Sequence, residues 1–162
     1  MADQAYKDRK LFGHVRAHDC DFVRSMLALG ANPNARDVLG NTPLHVAAFN
    51  LGAEVCAILL EGGADVNAGG PDGNTPLHSV FRDWKYNGED SFEGEGELYP
   101  PLIRLLISWG ADPDAANDLG ITARSLASDD LLPLMQALPA VPPGIPGWVR
   151  KMLAKRHPVP RL

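Results

Sequence analysis

A shift of 33 residues maps much of this chain onto itself. Gly30, Ala31, Asn34 and Ala35 fall on Gly63, Ala64, Asn67 and Ala68, and Gly40-Asn41-Thr42-Pro43-Leu44-His45 falls on Gly73-Asn74-Thr75-Pro76-Leu77-His78. Ten of the sixteen positions from 30 to 45 are identical under that shift. A further shift of 47, which is 33 plus 14, carries Gly63-Ala64-Asp65 onto Gly110-Ala111-Asp112, and Gly73 and Thr75 onto Gly120 and Thr122. The period therefore survives an insertion. A unit this short cannot bury an apolar face by itself, so the chain must stack its units into one continuous core.

The most regular unit runs from Gly40 to Asn67. Thr42 is suited to cap a helix, and Pro43 then occupies the first helical position, where a missing N–H removes nothing. Leu59 and Leu60 close the apolar stripe of a second helix, which the Gly62-Gly63 pair ends by permitting a positive-φ turn. The unit is thus turn, helix, short turn, helix, turn. Its 33-residue length and its Thr-Pro-Leu-His helix start resemble the ankyrin repeat, and the resemblance covers residues 5 to 138. It implies an all-α solenoid of helix-turn-helix units joined by β-hairpin-like turns. The expected divisions are a repeat domain over 1–138 and a Pro-rich basic tail over 139–162. Within the domain lie an N-terminal capping repeat at 5–34, a repeat at 35–67, a repeat with an insertion at 68–114, and a C-terminal capping repeat at 115–138.

In the first repeat, Leu11, Phe12 and Val15 supply one apolar helix face and Phe22, Val23, Met26 and Leu27 a second. Lys7, Arg9 and Lys10 suit a helix whose outer face meets water and not a neighbour. His14 and His18 stand four apart, a spacing that fits either solvated or partly packed histidines or two ligands of a metal that lacks its closing ligands. In the second repeat Ala47 and Ala48 keep the first helix narrow, while Val55, Ile58 and Leu59 bury the second. The resemblance implies that His45 and His78 hydrogen-bond the backbone of an adjoining turn and belong to the scaffold.

The third repeat departs from the pattern. Val80 and Phe81 stand where the second has Ala47 and Ala48, so its helices are expected to be pushed apart or rotated. Residues 84–99 contain the 14 extra residues; there Glu89, Asp90, Glu93, Glu95 and Glu97 face only Lys85, with Trp84, Tyr86, Phe92 and Tyr99 among them. Acids interleaved with aromatics on a rigid scaffold fit a contact surface for a basic partner. They also fit aromatics folded back over a widened helix pair. Pro100-Pro101 restarts a helix whose stripe is Leu102, Leu105, Leu106 and Trp109. In the fourth repeat Arg124 replaces the frame leucine, and a short second helix is expected over about Leu131 to Leu138. Beyond it, Arg150, Lys151, Lys155, Arg156 and Arg161 give the tail a charge of +5 with no acid, in a chain of net −5. Trp148, Val149, Met152 and Leu153 are expected to pack on the open end of the last repeat.

A chain of 162 residues with 45% hydrophobic and 22% charged residues has ordinary globular composition. No apolar run reaches the roughly 18–20 residues of a membrane span, and the polar start has no signal-peptide core, which together imply a cytoplasmic protein. Cys20 and Cys56 form no disulfide framework or metal cluster. There is no phosphate loop and no nucleophile elbow. The acid pairs Glu93 with Glu95 and Asp129 with Asp130 lie in sequence unable to hold two pKa values apart. The chain is therefore expected to be no enzyme, to carry no cofactor and to bind no metal.

Recognition remains. The resemblance places contacts on turn tips and the exposed faces of first helices: Arg36, Val38, Leu39, Asn41, Phe49 and Asn50 in the second repeat, Asp72, Asn74 and Arg82 in the third, and Leu119 and Ile121 in the fourth. The insertion adds Trp84, Tyr86, Glu89, Asp90, Phe92 and Glu93. The expected partner is a protein, with a basic surface favoured by the acidic insertion, and the free chain is expected to be a monomer without a small-molecule substrate. Three functions fit: an inhibitor or sequestering protein, such as a toxin-immunity protein or an enzyme antagonist; an adaptor bridging two proteins; or a nucleic-acid mimic or binder.

Overall fold

The computed structural model describes residues 2–81 and 99–135. Seven α-helices appear among them: α1 (Ala2–Arg16), α2 (Cys20–Ala28), α3 (Pro43–Phe49), α4 (Ala53–Glu61), α5 (Pro76–Val80), α6 (Tyr99–Ser108) and α7 (Ala123–Leu126). They pair as α1 with α2, α3 with α4 and α5 with α6. Successive first helices α1, α3 and α5 pack in a row, and so do successive second helices α2, α4 and α6. No named strand occurs among the described residues; hairpin-like loops project where one repeat passes to the next, with an antiparallel bridge between Ala116 and Thr122. The residues 84–98 of the insertion, Arg82, and everything after Met135 lie outside the described residues, including the tail and its expected packing.

Apolar side chains fill the space between the two rows. Leu44 and Leu77, the frame leucines of α3 and α5, are fully buried. So are Val55, Leu59, Leu102, Leu105 and Leu106 from the second helices. Ala47 and Ala48 are fully buried on the narrow face of α3, and Val80 and Phe81 take the corresponding places in the third repeat, also buried. Tyr99, counted with the loop in the sequence, is instead the first residue of α6 and buried.

Each second helix ends alike. Gly30, Gly63 and Gly110 adopt φ of 85°, 89° and 88°, the left-handed conformation that a side chain would strain. The last repeat is described only as far as Met135. Within the described part of the second helix expected over about 131–138, a 3-10 turn covers Leu132–Met135, with Leu131 N–H donating to the Ser128 carbonyl and Leu134 N–H to the Leu131 carbonyl; 136–138 lie outside the described residues.

Candidate recognition surface

Three hairpin tips carry the surface, and the residue that opens each one sets its shape. Asp37 accepts the Leu39 and Asn41 N–H groups at 3.0 and 2.9 Å. Asn117 does the same for Leu119 and Ile121. The equivalent position in the third repeat is Gly70, which has no side chain to offer. There Asn74 Nδ2 donates to the Pro71 carbonyl at 3.0 Å, and Asp72 takes φ of 56°. The outcome is that the tip side chains point away from the scaffold. Val38 is 101% exposed, Leu39 71% and Leu119 75%.

Behind the tips, the polar groups are already engaged. Thr42 N–H donates to His45 Nδ1 at 3.2 Å and the Thr42 hydroxyl meets the same nitrogen at 2.8 Å. With Nδ1 accepting, Nε2 carries the proton and donates to the Asn74 carbonyl in the next repeat at 2.9 Å. His78 repeats this with Thr75 and with the Ile121 carbonyl at 3.0 Å. Burial is the main cause that holds both imidazoles below the ordinary histidine pKa, opposed by the hydrogen bonds to Asn74 and Ile121. Neutral histidines, each stapling one repeat to the next hairpin, are scaffold.

Ser125 stands in the fourth repeat where the histidines stand in the second and third. It exchanges hydrogen bonds with Thr122, each hydroxyl accepting the other's backbone N–H at 3.1 Å, which is a complete capping box. A serine is too short to reach a further hairpin. Arg124, in the frame leucine's place, forms a bidentate pair with Asp114 and donates to the Met135 carbonyl at 3.3 Å. Arg124 thus spends its guanidinium on Asp114 and the Met135 carbonyl at the position that a buried leucine fills in the two preceding repeats.

A second ladder runs along the turns on the other side. Asn34 Nδ2 donates to the Gly63 carbonyl at 3.0 Å while its Oδ1 accepts from Asp65 N–H at 2.8 Å. Asn67 makes the same two bonds to Gly110 and Asp112. In the first repeat two side chains of α1 replace the one amide: Gln4 donates to the Gly30 carbonyl and Asp8 accepts from Asn32 N–H. The sequence reading assigned no role to Asn34, Asn67, Gln4 or Asp8. The signal was present for the asparagines, which are identities under the 33-residue shift, and absent for the two cap residues, which have no counterpart to align with.

The expected contact residues divide by what their atoms already do. Val38, Leu39, Phe49, Asp72 and Leu119 present exposed side chains. Arg36 is exposed, but its Nη1 donates to the Gly40 and Gly69 carbonyls at 2.8 and 2.7 Å. Asn41 is held by Asp37, Asn74 by Pro71 and by Asn117 Nδ2, and Ile121 is half-buried with its carbonyl on His78. Asn50 is the half-buried C-cap of α3. Arg82, Trp84, Tyr86, Glu89, Asp90, Phe92 and Glu93 lie outside the described residues.

Between the hairpins of the third and fourth repeats lies a cleft of about 210 Å³. Of its polar lining, Asn41, His45, His78, Asn74 and Asn117 have partners inside the scaffold, and Asp72 and Ser79 complete it. Its apolar lining is Phe81 with Leu119, Ile121 and Leu126. Among the described residues no three His, Cys, Asp or Glu side chains converge as a metal site would require. No helix among them is long and apolar enough to cross a membrane.

Paired helices stacked in two rows, with projecting hairpins and a histidine staple in each regular unit, define a helical repeat solenoid built to present a surface. Residues 11–85 match the family model of ankyrin repeats in three copies, so this part of the chain is built of ankyrin repeats. A search of the curated proteins found no match. Ankyrin repeats are in general protein–protein interaction modules, and they are typically non-catalytic.

Proposed function

We propose that this chain is a non-catalytic recognition protein whose hairpin tips dock on one protein partner and inhibit or sequester it, as a toxin-immunity protein or an enzyme antagonist does. The observation that carries this reading is the exposure of Val38, Leu39 and Leu119 on tips whose backbones are fixed by Asp37 and Asn117. Apolar side chains carried on a backbone that is already fixed cost less ordering entropy when covered, so such a surface favours docking. A covering surface acts by occupying whatever functional face of the partner it meets.

The test uses the chain as bait in extract of its native cell, beside the variant Val38→Asp, Leu39→Asp, Leu119→Asp. The reading expects one protein to be retained by the native chain in a one-to-one complex, lost by the variant, and less active when bound. Two proteins held at once through separate faces would favour the adaptor. Retention of nucleic acid, falling steeply with salt, would favour the nucleic-acid reading. Equal retention by native chain and variant would remove the tips from the account.

A further inference from the structure

We infer that the cleft between the third and fourth hairpins is the docking site of this chain's own C-terminal segment, with Trp148 as the anchoring side chain. Size is the first reason. Small-molecule sites usually enclose about 300–1,000 Å³, whereas this cleft measures about 210 Å³, room for one large side chain. Chemistry is the second. Five of its polar groups, Asn41, His45, His78, Asn74 and Asn117, are hydrogen-bonded within the scaffold, which leaves the Asp72 carboxylate and the Ser79 hydroxyl as its polar features. The apolar surface open to a guest comes from Leu119, Ile121 and Leu126.

Charge is the third. No lysine or arginine lines the cleft, and Asp72 does. Asp118 stands next to it, its N–H donating to the Asp72 carbonyl at 3.0 Å and its carboxylate lying against Gly73. Neither carboxylate has a cationic partner among the described residues. The segment 139–162 is complementary: five Lys and Arg, no Asp or Glu, and one aromatic, Trp148, directly ahead of Val149-Arg150-Lys151. Reach is the fourth. Twelve residues lie between Met135 and Trp148, a reach of up to about 43 Å when extended. Met135 and the cleft residue Leu126 belong to the same repeat.

A docked segment would cover the base of the Leu119 tip, so partner and tail would compete for it. The inference itself needs no partner, and its experiment reads the full-length chain alone. In an isotopically labelled sample at low salt, the Trp148 indole is expected to show nuclear Overhauser contacts to methyl groups of Ile121, Leu126 and Leu119, unchanged on dilution. The double variant Asp72→Asn, Asp118→Asn is expected to weaken them, as is added salt. Contacts from Trp148 to other surfaces, contacts that vanish on dilution and so belong to a second copy, or no contacts at all would overturn the proposal. A Trp148 that meets the protein nowhere and buries only on addition of phosphatidylserine vesicles would overturn it in favour of a membrane role.

Discussion

The imidazole of His45 fills the place where a side chain on Gly70 would begin: a Cβ built on Gly70 would stand 2.6 Å from His45 Nε2. The ring cannot yield readily, because Thr42 holds one nitrogen and the Asn74 carbonyl the other. Gly70 is thus the complement of the histidine staple, and the same substitution that leaves the third tip without a side-chain clasp makes room for the second repeat's histidine. Gly70→Ala is expected to destabilise the chain by about 1–3 kcal/mol through overpacking. Combined with His45→Ala the two costs should fall short of their sum, since removing the ring removes the clash; a double-mutant cycle from chemical denaturation measures the coupling.

The histidine staples set a pH dependence. Both imidazoles have pKa values lowered by burial in the folded state, so the unfolded chain binds protons more readily than the folded one. Their contribution is fully present above the unfolded-state value of about 6.5 and is lost as pH falls below it toward the folded-state values. Denaturation midpoints should drop between pH 7.5 and pH 5.5, and His45→Asn should flatten the dependence while lowering stability at the higher pH.

The turn ladder predicts a graded response. Asn67→Ala removes a donor to Gly110 and an acceptor for Asp112. At about 1 kcal/mol per hydrogen bond, the loss should be about 2 kcal/mol. Gln4→Ala and Asp8→Ala each remove one bond of the equivalent pair at the first turn together with the exposed Gln4 Nε2–Asp8 Oδ1 bond that they share, and should cost about 1–2 kcal/mol apiece. Thermal melts of the three variants check the ratio.

Both cysteines should be slow nucleophiles. Burial pushes the Cys20 thiol up to about 11, with Glu54 adding to the shift, and raises Cys56, which is fully buried, further still. Iodoacetamide at pH 8 should label Cys20 slowly and Cys56 only on unfolding, read by mass spectrometry of timed samples.

The architecture was legible in the sequence because ankyrin repeats announce themselves by period. Thr42-Pro43-Leu44-His45 and its copy at 75–78 fix where first helices start, and Gly30, Gly63 and Gly110 fix where second helices end. The division of labour among surface residues was not legible. Val38 and Arg36 are neighbours in one hairpin, yet Val38 meets only solvent while Arg36 spends its guanidinium on two carbonyls, one of them 33 residues away. No local pattern separates them.

The central claim is that partners are met by the hairpin tips. It is tested most directly by hydrogen–deuterium exchange of the full chain, free and bound to the partner that it retains. The account predicts protection at residues 37–41, 70–74 and 117–121, with the outer faces of α2 and α4 unchanged. Protection confined to those helices, with the three tips exchanging as in the free chain, would contradict it.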